Sequence, residues 1–246
     1  KAPTFRKQMY VGYQAKRPAI SNDLVPQIDL VQKALDKAKI AHCGIDGYEA
    51  DDLIGTLSVK AKENDLQTII VSGDRDLLQL VNSHVLMLAP IMGITKMTLF
   101  DGAKVKEKYG LNPPQIVDFK ALAGDASDNY PGVTGIGPKT ASDLIGKYEN
   151  LENLYQHISE LPIRIQEKLA NDAEQAALSK KLATIIKDAP VAFNKEDAEI
   201  GKMDGEGLKK IFEELSFKSI INRIPKVTQK KEDVKKTKDN NQLDLL

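Results

Sequence analysis

Thr68-Ile69-Ile70-Val71 is the most constraining stretch of this 246-residue chain. β-Branched side chains in succession crowd a helix and fit a pleated strand. With no polar alternation, the run reads as a buried strand of a parallel sheet. It stops at Ser72-Gly73-Asp74-Arg75-Asp76, after which Leu77, Leu78 and Leu80 are expected to start a helix. A parallel strand reaches its neighbour only through a long crossover, so strands and helices must alternate here.

The flanking segments agree. A helix is expected from Asp23, with Pro26 in its first turn and Ile28, Val31, Leu35 and Ala38 at helical spacing. Residues 40–45 read as a short strand, with Cys43 as a small core residue, and Glu49-Ala50-Asp51-Asp52 leads into a helical face at Leu53, Ile54 and Leu57. Residues 84–100 read as a hairpin or two short strands around Gly93. After Asp101 helical patterns follow one another to about residue 224, broken by Gly110, Pro113-Pro114, Pro131-Gly132 and Pro162. The expected fold is α/β, a central mostly parallel sheet with flanking helices, joined to a helical lobe. The expected divisions are an α/β core at 1–100, the helical lobe at 101–225 and a disordered tether at 226–246. From Lys226 to Asn241 the tether carries six lysines, three acids and two valines, too little apolar surface to offset its ordering entropy.

Thirty-five basic and thirty-five acidic residues cancel. A neutral sum argues against a nucleic-acid binder only if the charges are evenly mixed, and they are not. Residues 1–22 hold Lys1, Arg6, Lys7, Lys16 and Arg17 with no acid, interleaved with Phe5, Tyr10 and Tyr13. Setting aside the seven clustered carboxylates described next leaves thirty-five basic against twenty-eight acidic residues. A single cysteine rules out an internal disulfide, and no apolar run is long enough to span a bilayer. No membrane association is expected, and the expected setting is cytoplasmic.

Three carboxylate clusters lie at element boundaries. Glu49, Asp51 and Asp52 begin a helix, Asp74 and Asp76 end a strand with both side chains on one side, and Asp125 and Asp128 share a face of a helical turn. Each alone reads as a helix cap, a turn or a solvated face. Together at the strand ends of an α/β sheet they form a site. Seven carboxylates could not all stay ionised there without cations, and an all-oxygen set suits Mg²⁺ or Mn²⁺. The histidines, at 42, 84 and 157, sit in no ligand spacing.

Gly132-Val133-Thr134-Gly135-Ile136-Gly137-Pro138-Lys139-Thr140-Ala141 fails as a nucleotide-binding P-loop, because Pro138 separates the last glycine from Lys139-Thr140 and no buried strand precedes it. It reads as a tight hairpin between two helices, the second opened by Pro138. Its backbone N–H groups and helix N-terminus are suited to a phosphate, so Gly132, Gly135, Gly137, Lys139 and Thr140 are candidate contacts to a nucleic-acid backbone. The alternative is a plain helix–turn–helix connection.

Glu49-Ala50-Asp51-Asp52, Ser72-Gly73-Asp74-Arg75-Asp76-Leu77 and Gly124-Asp125-Ala126-Ser127-Asp128-Asn129-Tyr130-Pro131-Gly132, with the glycine hairpin, resemble the bacterial 5′-nuclease (flap endonuclease) family. That family includes the 5′→3′ exonuclease domain of DNA polymerase I and its stand-alone relatives. The resemblance runs from Lys1 to about Pro225. It implies a PIN-like nuclease core and structure-specific hydrolysis of DNA at 5′ ends and flaps in replication and repair, by two Mg²⁺ or Mn²⁺ ions. Glu49, Asp51 and Asp52 would serve one metal, Asp76, Asp125 and Asp128 the other, with Asp74 between them. The hairpin resembles the family's helix–three-turn–helix element, which grips duplex DNA and often holds K⁺. Phe5-Arg6 and the residues that follow look like the approach to the helical arch. Arg6, Lys7, Lys16 and Arg17 would neutralise substrate phosphates, and Tyr10 would stack on a base. The family also uses two aspartates from segments absent here. An N-terminally truncated chain, less stable and weakly active or inactive, is therefore expected. The competing readings are a DNA-binding module without chemistry and a related metal-dependent ribonuclease.

Gln242-Leu243-Asp244-Leu245-Leu246 resembles the short peptide with which bacterial replication proteins dock into the sliding clamp, through Gln242, Leu243, Leu245 and Leu246. The partners expected are thus branched or nicked duplex DNA and the clamp. The chain itself is expected to be monomeric and nucleoid-associated.

Overall fold

The computed structural model describes residues 2–93 and 96–224. The expected tether and its terminal peptide lie outside them. Helices α1 (Phe5–Met9), α2 (Val25–Lys37) and α3 (Ala50–Glu63) precede strand β1 (Thr68–Val71), a 3₁₀ turn at Arg75–Leu80, β2 (Val85–Met92) and β3 (Lys96–Phe100). All further elements are helical: α4 (Gly102–Tyr109), α5 (Gln115–Ala123), α6 (Pro138–Tyr148), α7 (Leu151–Gln156), α8 (Ile163–Asn171), α9 (Ala173–Ala183), α10 (Gly205–Glu214) and α11 (Lys218–Ile221), with short 3₁₀ turns among them.

The breaks follow backbone stereochemistry. Gly110 closes α4 at φ 70°, where a Cβ would be strained, and Pro114 and Pro162 stand just before α5 and α8. Pro138 is the first residue of α6, where its missing N–H costs nothing. The hairpin around Gly93 forms as expected, with β2 and β3 antiparallel and Met87 opposite Phe100.

Four local expectations are corrected. The described strands form a mixed sheet in the order β1-β2-β3, with β1 and β2 parallel. β1 is its edge, so Ile70 is buried while Ile69 and Val71 are 47% and 68% exposed. Residues 40–45 form no strand, because they find no backbone partner in the described sheet, and Cys43 is exposed. Leu77, Leu78 and Leu80 lie in the 3₁₀ turn, buried in the core beside the sheet. Asp125 and Asp128 are not on a helix: they occupy a turn closed by paired backbone hydrogen bonds between Asp125 and Tyr130.

By their contacts the described residues form two compact units: 2–19 with 43–193, and 20–42 with 194–224. Residue 100 therefore marks a change of secondary structure and not a packing boundary, since Ile116 of α5 shares a core with Met87 and Phe100. A second core in the first unit gathers Leu122, Val133, Ile136, Ile145, Leu154 and Leu169 from α5 to α8. In the other unit α2 packs on α10, and the Asp204 N–H donates to the Ala38 carbonyl at 2.7 Å.

The glycine hairpin is pinned by a backbone crossing. A Cβ on Gly132 would overlap the Leu122 carbonyl and the Gly124 amide nitrogen, and Gly124 itself sits at φ 72° against Gly132. Gly132 is thus required by its neighbours' backbone, whatever it does toward a phosphate. Backbone atoms cannot rotate away as a side chain can, so Gly132→Ala is expected to destabilise the first unit by about 2–3 kcal/mol, read as a lower thermal midpoint. An unchanged midpoint would show that the crossing relaxes.

Candidate metal centre

The three acidic clusters come from different elements and meet unequally. Asp51 lies in the first turn of α3 and Asp74 caps the 3₁₀ turn, its Oδ1 accepting from the Asp76 N–H at 3.0 Å. Burial, together with the charges of Asp74, Asp76 and Glu49, pushes the Asp51 carboxyl up to about 7. Asp76 is likewise raised, by burial first and by Asp74 and Asp125 among its neighbours. Asp51, Asp74, Asp76 and Asp125 therefore share one crowded field, fed by α3, the end of β1 and the turn after α5.

Lys120 of α5 enters that field. Its Nζ bridges Asp76 Oδ1 and Asp125 Oδ2, the latter at 2.5 Å, and its side chain is only 14% exposed. Despite burial, the bond from Lys120 and those from Ser127 hold the Asp125 carboxyl down to about 2. The Tyr130 hydroxyl is buried and makes no hydrogen bond to any described residue. Asp76, Asp125 and Asp128 lie close enough to raise its pKa, although burial is the larger cause.

Glu49 and Asp128 form a second pair, joined by a residue that sequence reasoning passed over. The Tyr13 hydroxyl lies 3.0 Å from Glu49 Oε2 and 3.1 Å from Asp128 Oδ2. One hydroxyl hydrogen serves two carboxylates, and burial pushes Glu49 up, the direction that favours a shared proton. Arg17 reaches Asp128 Oδ1 at 2.5 Å with its own side chain half exposed.

Two expected assignments are corrected here. Arg6 does not face a substrate. It is 2% exposed and forks onto both oxygens of Asp52 at 2.7 and 2.8 Å, while also donating to the carbonyls of Leu182 and Thr184. Asp52, fully buried, accepts in addition from the backbone N–H groups of Glu49 and Ile186. With its oxygens so committed, its pKa is lowered despite burial and no lone pair is directed to the cluster. Asp52 is a cap and a cross-link, not a metal ligand. Tyr10 packs against the core around Tyr13 and Tyr130, and its ring lies across Gly12. Lys7, Lys16, Gly135, Gly137 and Lys139 are exposed, with Thr140 half-buried. The hairpin carbonyls of Pro131, Gly132 and Gly135 are taken by Ser179, Gln175 and Lys168.

As they stand, no three Asp, Glu, His or Cys side chains among the described residues are placed to hold one ion. The donors nonetheless fit a hard divalent cation in chemistry and in charge: all are oxygens, burial and neighbouring carboxylates together raise Asp51 to about 7, and a buried hydroxyl beside them finds no partner among the described residues. Lys120 and Arg17 currently supply the positive charge. One consequence is testable without a metal. Since burial and its neighbours push the Asp51 carboxyl up to about 7 in the folded chain from an ordinary value of 3.8, its ionisation penalises the folded state increasingly as pH rises from about 4 to 7. Asp51→Asn should stabilise the metal-free chain by about 1–3 kcal/mol at pH 8. The gain should fade to nothing by about pH 4, followed by urea titration in EDTA at each pH. A gain that did not fade would place the crowding elsewhere.

Comparison with known proteins decides the family. The N-terminal resolvase-like domain of 5′-3′ exonucleases matches residues 1–110, and their C-terminal SAM fold matches residues 111–206. The chain belongs to the 5′-3′ exonuclease family. It is 40% identical over 232 residues to DNA polymerase I of Chloroflexus aurantiacus, covering 92% of this chain and 25% of that protein. The chain thus spans about a quarter of the length of the polymerase it matches. Among solved structures, the fold of this family member is shared with the T5 D15 protein co-crystallised with metal ions, at TM-score 0.62 and 21% identity over 87% of this chain and 81% of that one. It is also shared with the catalytic core of Rad2 in complex with DNA substrate, at TM-score 0.54 and 17% identity over 92% and 77%. The sheet with flanking helices and the helical segment after it are thereby the family's own architecture.

Proposed function

We propose that this chain is the 5′-nuclease part of a DNA-processing enzyme, hydrolysing phosphodiesters at 5′ ends and flaps with divalent metal. The observation that carries the reading is the crowded carboxylate field of Asp51, Asp74, Asp76 and Asp125 within a 5′-3′ exonuclease family fold. Glu49 and Asp128, tied through Tyr13, flank it. Support for the partner and the ion comes from the fold's other holders, since Rad2 is seen with DNA substrate and the T5 protein with metal ions.

Asp51, Asp74, Asp76 and Asp125, with Glu49 and Asp128, would hold two Mg²⁺ or Mn²⁺ ions. When bound, such ions supply an activated water and charge stabilisation at the scissile phosphate. The chain's own groups do the rest. Lys7 and Lys16 neutralise backbone phosphates from the exposed basic stretch. The start of α6 presents the Lys139 and Thr140 N–H groups, ahead of the first intrahelical bond at Ala141, to a further phosphate. These contacts place the duplex without reading its sequence, as an enzyme that selects by structure requires.

The deciding experiment extends the chain by an N-terminal segment that supplies the family's two further aspartates and incubates it with a 5′-flap duplex and a blunt duplex of the same sequence, in Mg²⁺ and in EDTA. Cleavage near the flap junction in Mg²⁺, absent in EDTA and slower on the blunt duplex, is the expected result. Binding in EDTA without cleavage in Mg²⁺ would favour a DNA-binding module, and preference for an RNA strand a ribonuclease.

A further inference from the structure

We propose that Lys120 is the resident counter-cation of the carboxylate cluster and that a divalent ion enters by displacing its ammonium. The inference rests on the metal reading given above and concerns what that metal must overcome.

Lys120 is the lone basic residue of α5, in Gln115-Ile116-Val117-Asp118-Phe119-Lys120-Ala121-Leu122-Ala123. Ile116, Ala121 and Leu122 around it are buried in the cores, and its side chain runs inward with them. Its Nζ joins Asp76, from the turn after β1, to Asp125, from the turn after α5. A buried ammonium is tolerated only when paired, and here two carboxylates on separate elements pair it. The same bridge holds those carboxylates at hydrogen-bonding distance from one nitrogen, where their mutual repulsion would otherwise drive them apart.

A dication using Asp76 and Asp125 would meet a monovalent cation already on the same oxygens. Two positive charges a few ångströms apart at partly buried depth repel strongly, so metal and ammonium cannot share the pair. The unbranched lysine stem permits an exit that a rigid group would not, since four methylenes can carry the charge toward solvent while remaining packed. Lys120 then has two opposed effects. It stabilises the metal-free fold, and it weakens metal binding by competing for the donors.

Those opposite signs separate this role from a merely structural one. Lys120→Met keeps the stem and removes the charge. In EDTA it is expected to lower the thermal midpoint, because Asp76 and Asp125 lose their partner. For Mn²⁺ alone, followed by calorimetric titration without DNA, it is expected to bind about tenfold more tightly than the unaltered protein. A structural lysine would give a lower midpoint and weaker binding together. A second measurement needs no variant: acetylation of Lys120 by an amine-reactive ester, read by mass spectrometry, should be slow in EDTA and faster once Mn²⁺ saturates. Mn²⁺ binding that is unchanged or weaker in a folded Lys120→Met protein overturns the inference alone. So does Lys120 acetylation indifferent to Mn²⁺ in a protein that binds it. Failure of both proteins to bind Mn²⁺ overturns the metal reading and this inference with it.

Discussion

In the chain extended to carry the family's two further aspartates, Asp74→Asn is expected to lower Mg²⁺-dependent cleavage of a 5′-flap duplex by at least about 100-fold, the order of loss seen when one preorganised group that stabilises transition-state charge is removed. The substitution is mild for the fold. Asp74 is exposed, and its structural task is to accept the Asp76 N–H at its Oδ1, which an asparagine oxygen also does. What changes is one negative charge in the field that Asp51 and Asp76 share. Duplex affinity in EDTA, measured by fluorescence anisotropy, should therefore stay within about twofold, because phosphate contacts and not this carboxylate position the DNA. Cleavage at the unaltered rate would remove Asp74 from the chemistry. Loss of affinity in parallel with cleavage would instead make it part of the DNA-binding surface.

Arg6→Met is expected to cost the first unit about 3–5 kcal/mol, the range found when one partner of a buried ion pair is deleted. The loss has several parts. Asp52, completely buried, would keep its charge with two backbone donors and no counter-ion, and the carbonyls of Leu182 and Thr184 would lose their donor. In urea the unfolding midpoint of that unit should fall by about 1–2 M. Its pH dependence carries a sign. The Asp52 pKa is lowered in the folded chain, so the stability it contributes is present above its ordinary carboxylate range and is lost as pH falls through the lowered value. The gap between Arg6→Met and the unaltered protein should accordingly narrow in strong acid. A variant as stable as the parent at neutral pH would show the fork to be dispensable.

Much of the architecture was legible because it is local. The β-branched run at Thr68–Val71, the turn at Gly93 and the boundaries at Gly110, Pro114, Pro138 and Pro162 obey rules set by each residue's own backbone. The misses lie where a partner decides. Whether residues 40–45 pair as a strand depends on a neighbour that no local pattern supplies, and Cys43 carries no mark of its exposure. Asp125 and Asp128, three apart, fit a helical turn as well as the tight turn they adopt.

The site shows the same division. The acidic clusters were found because like charges gathered at element ends are unusual in themselves. The destination of Arg6 was not, since its partners are 46 and 176 positions away. Basic residues near the start of the chain looked alike in sequence, yet Lys7 is exposed and Arg6 is sealed inside. Lys120 did carry a signal, one cation among the apolar neighbours Phe119, Ala121, Leu122 and Ala123 shortly before Gly124-Asp125, and it is readable once buried charge is expected to have a partner. Tyr13 carried none, because a tyrosine among basic residues suits stacking on a base as well as bridging two acids.

The Arg6 fork also has a meaning in time. Its acceptors lie at Asp52, Leu182 and Thr184, and the Ile186 N–H completes the same knot. During synthesis the guanidinium emerges early and waits for the last of these, on the order of ten to forty seconds at ordinary elongation rates. Until then Asp52 has three of its four hydrogen bonds, lacking the one from the Ile186 N–H, Arg6 lacks both of its carbonyl acceptors, and the start of α3 is only partly tied. The knot beside the acidic cluster is therefore completed late, although every one of the clustered carboxylates precedes its last members in the chain.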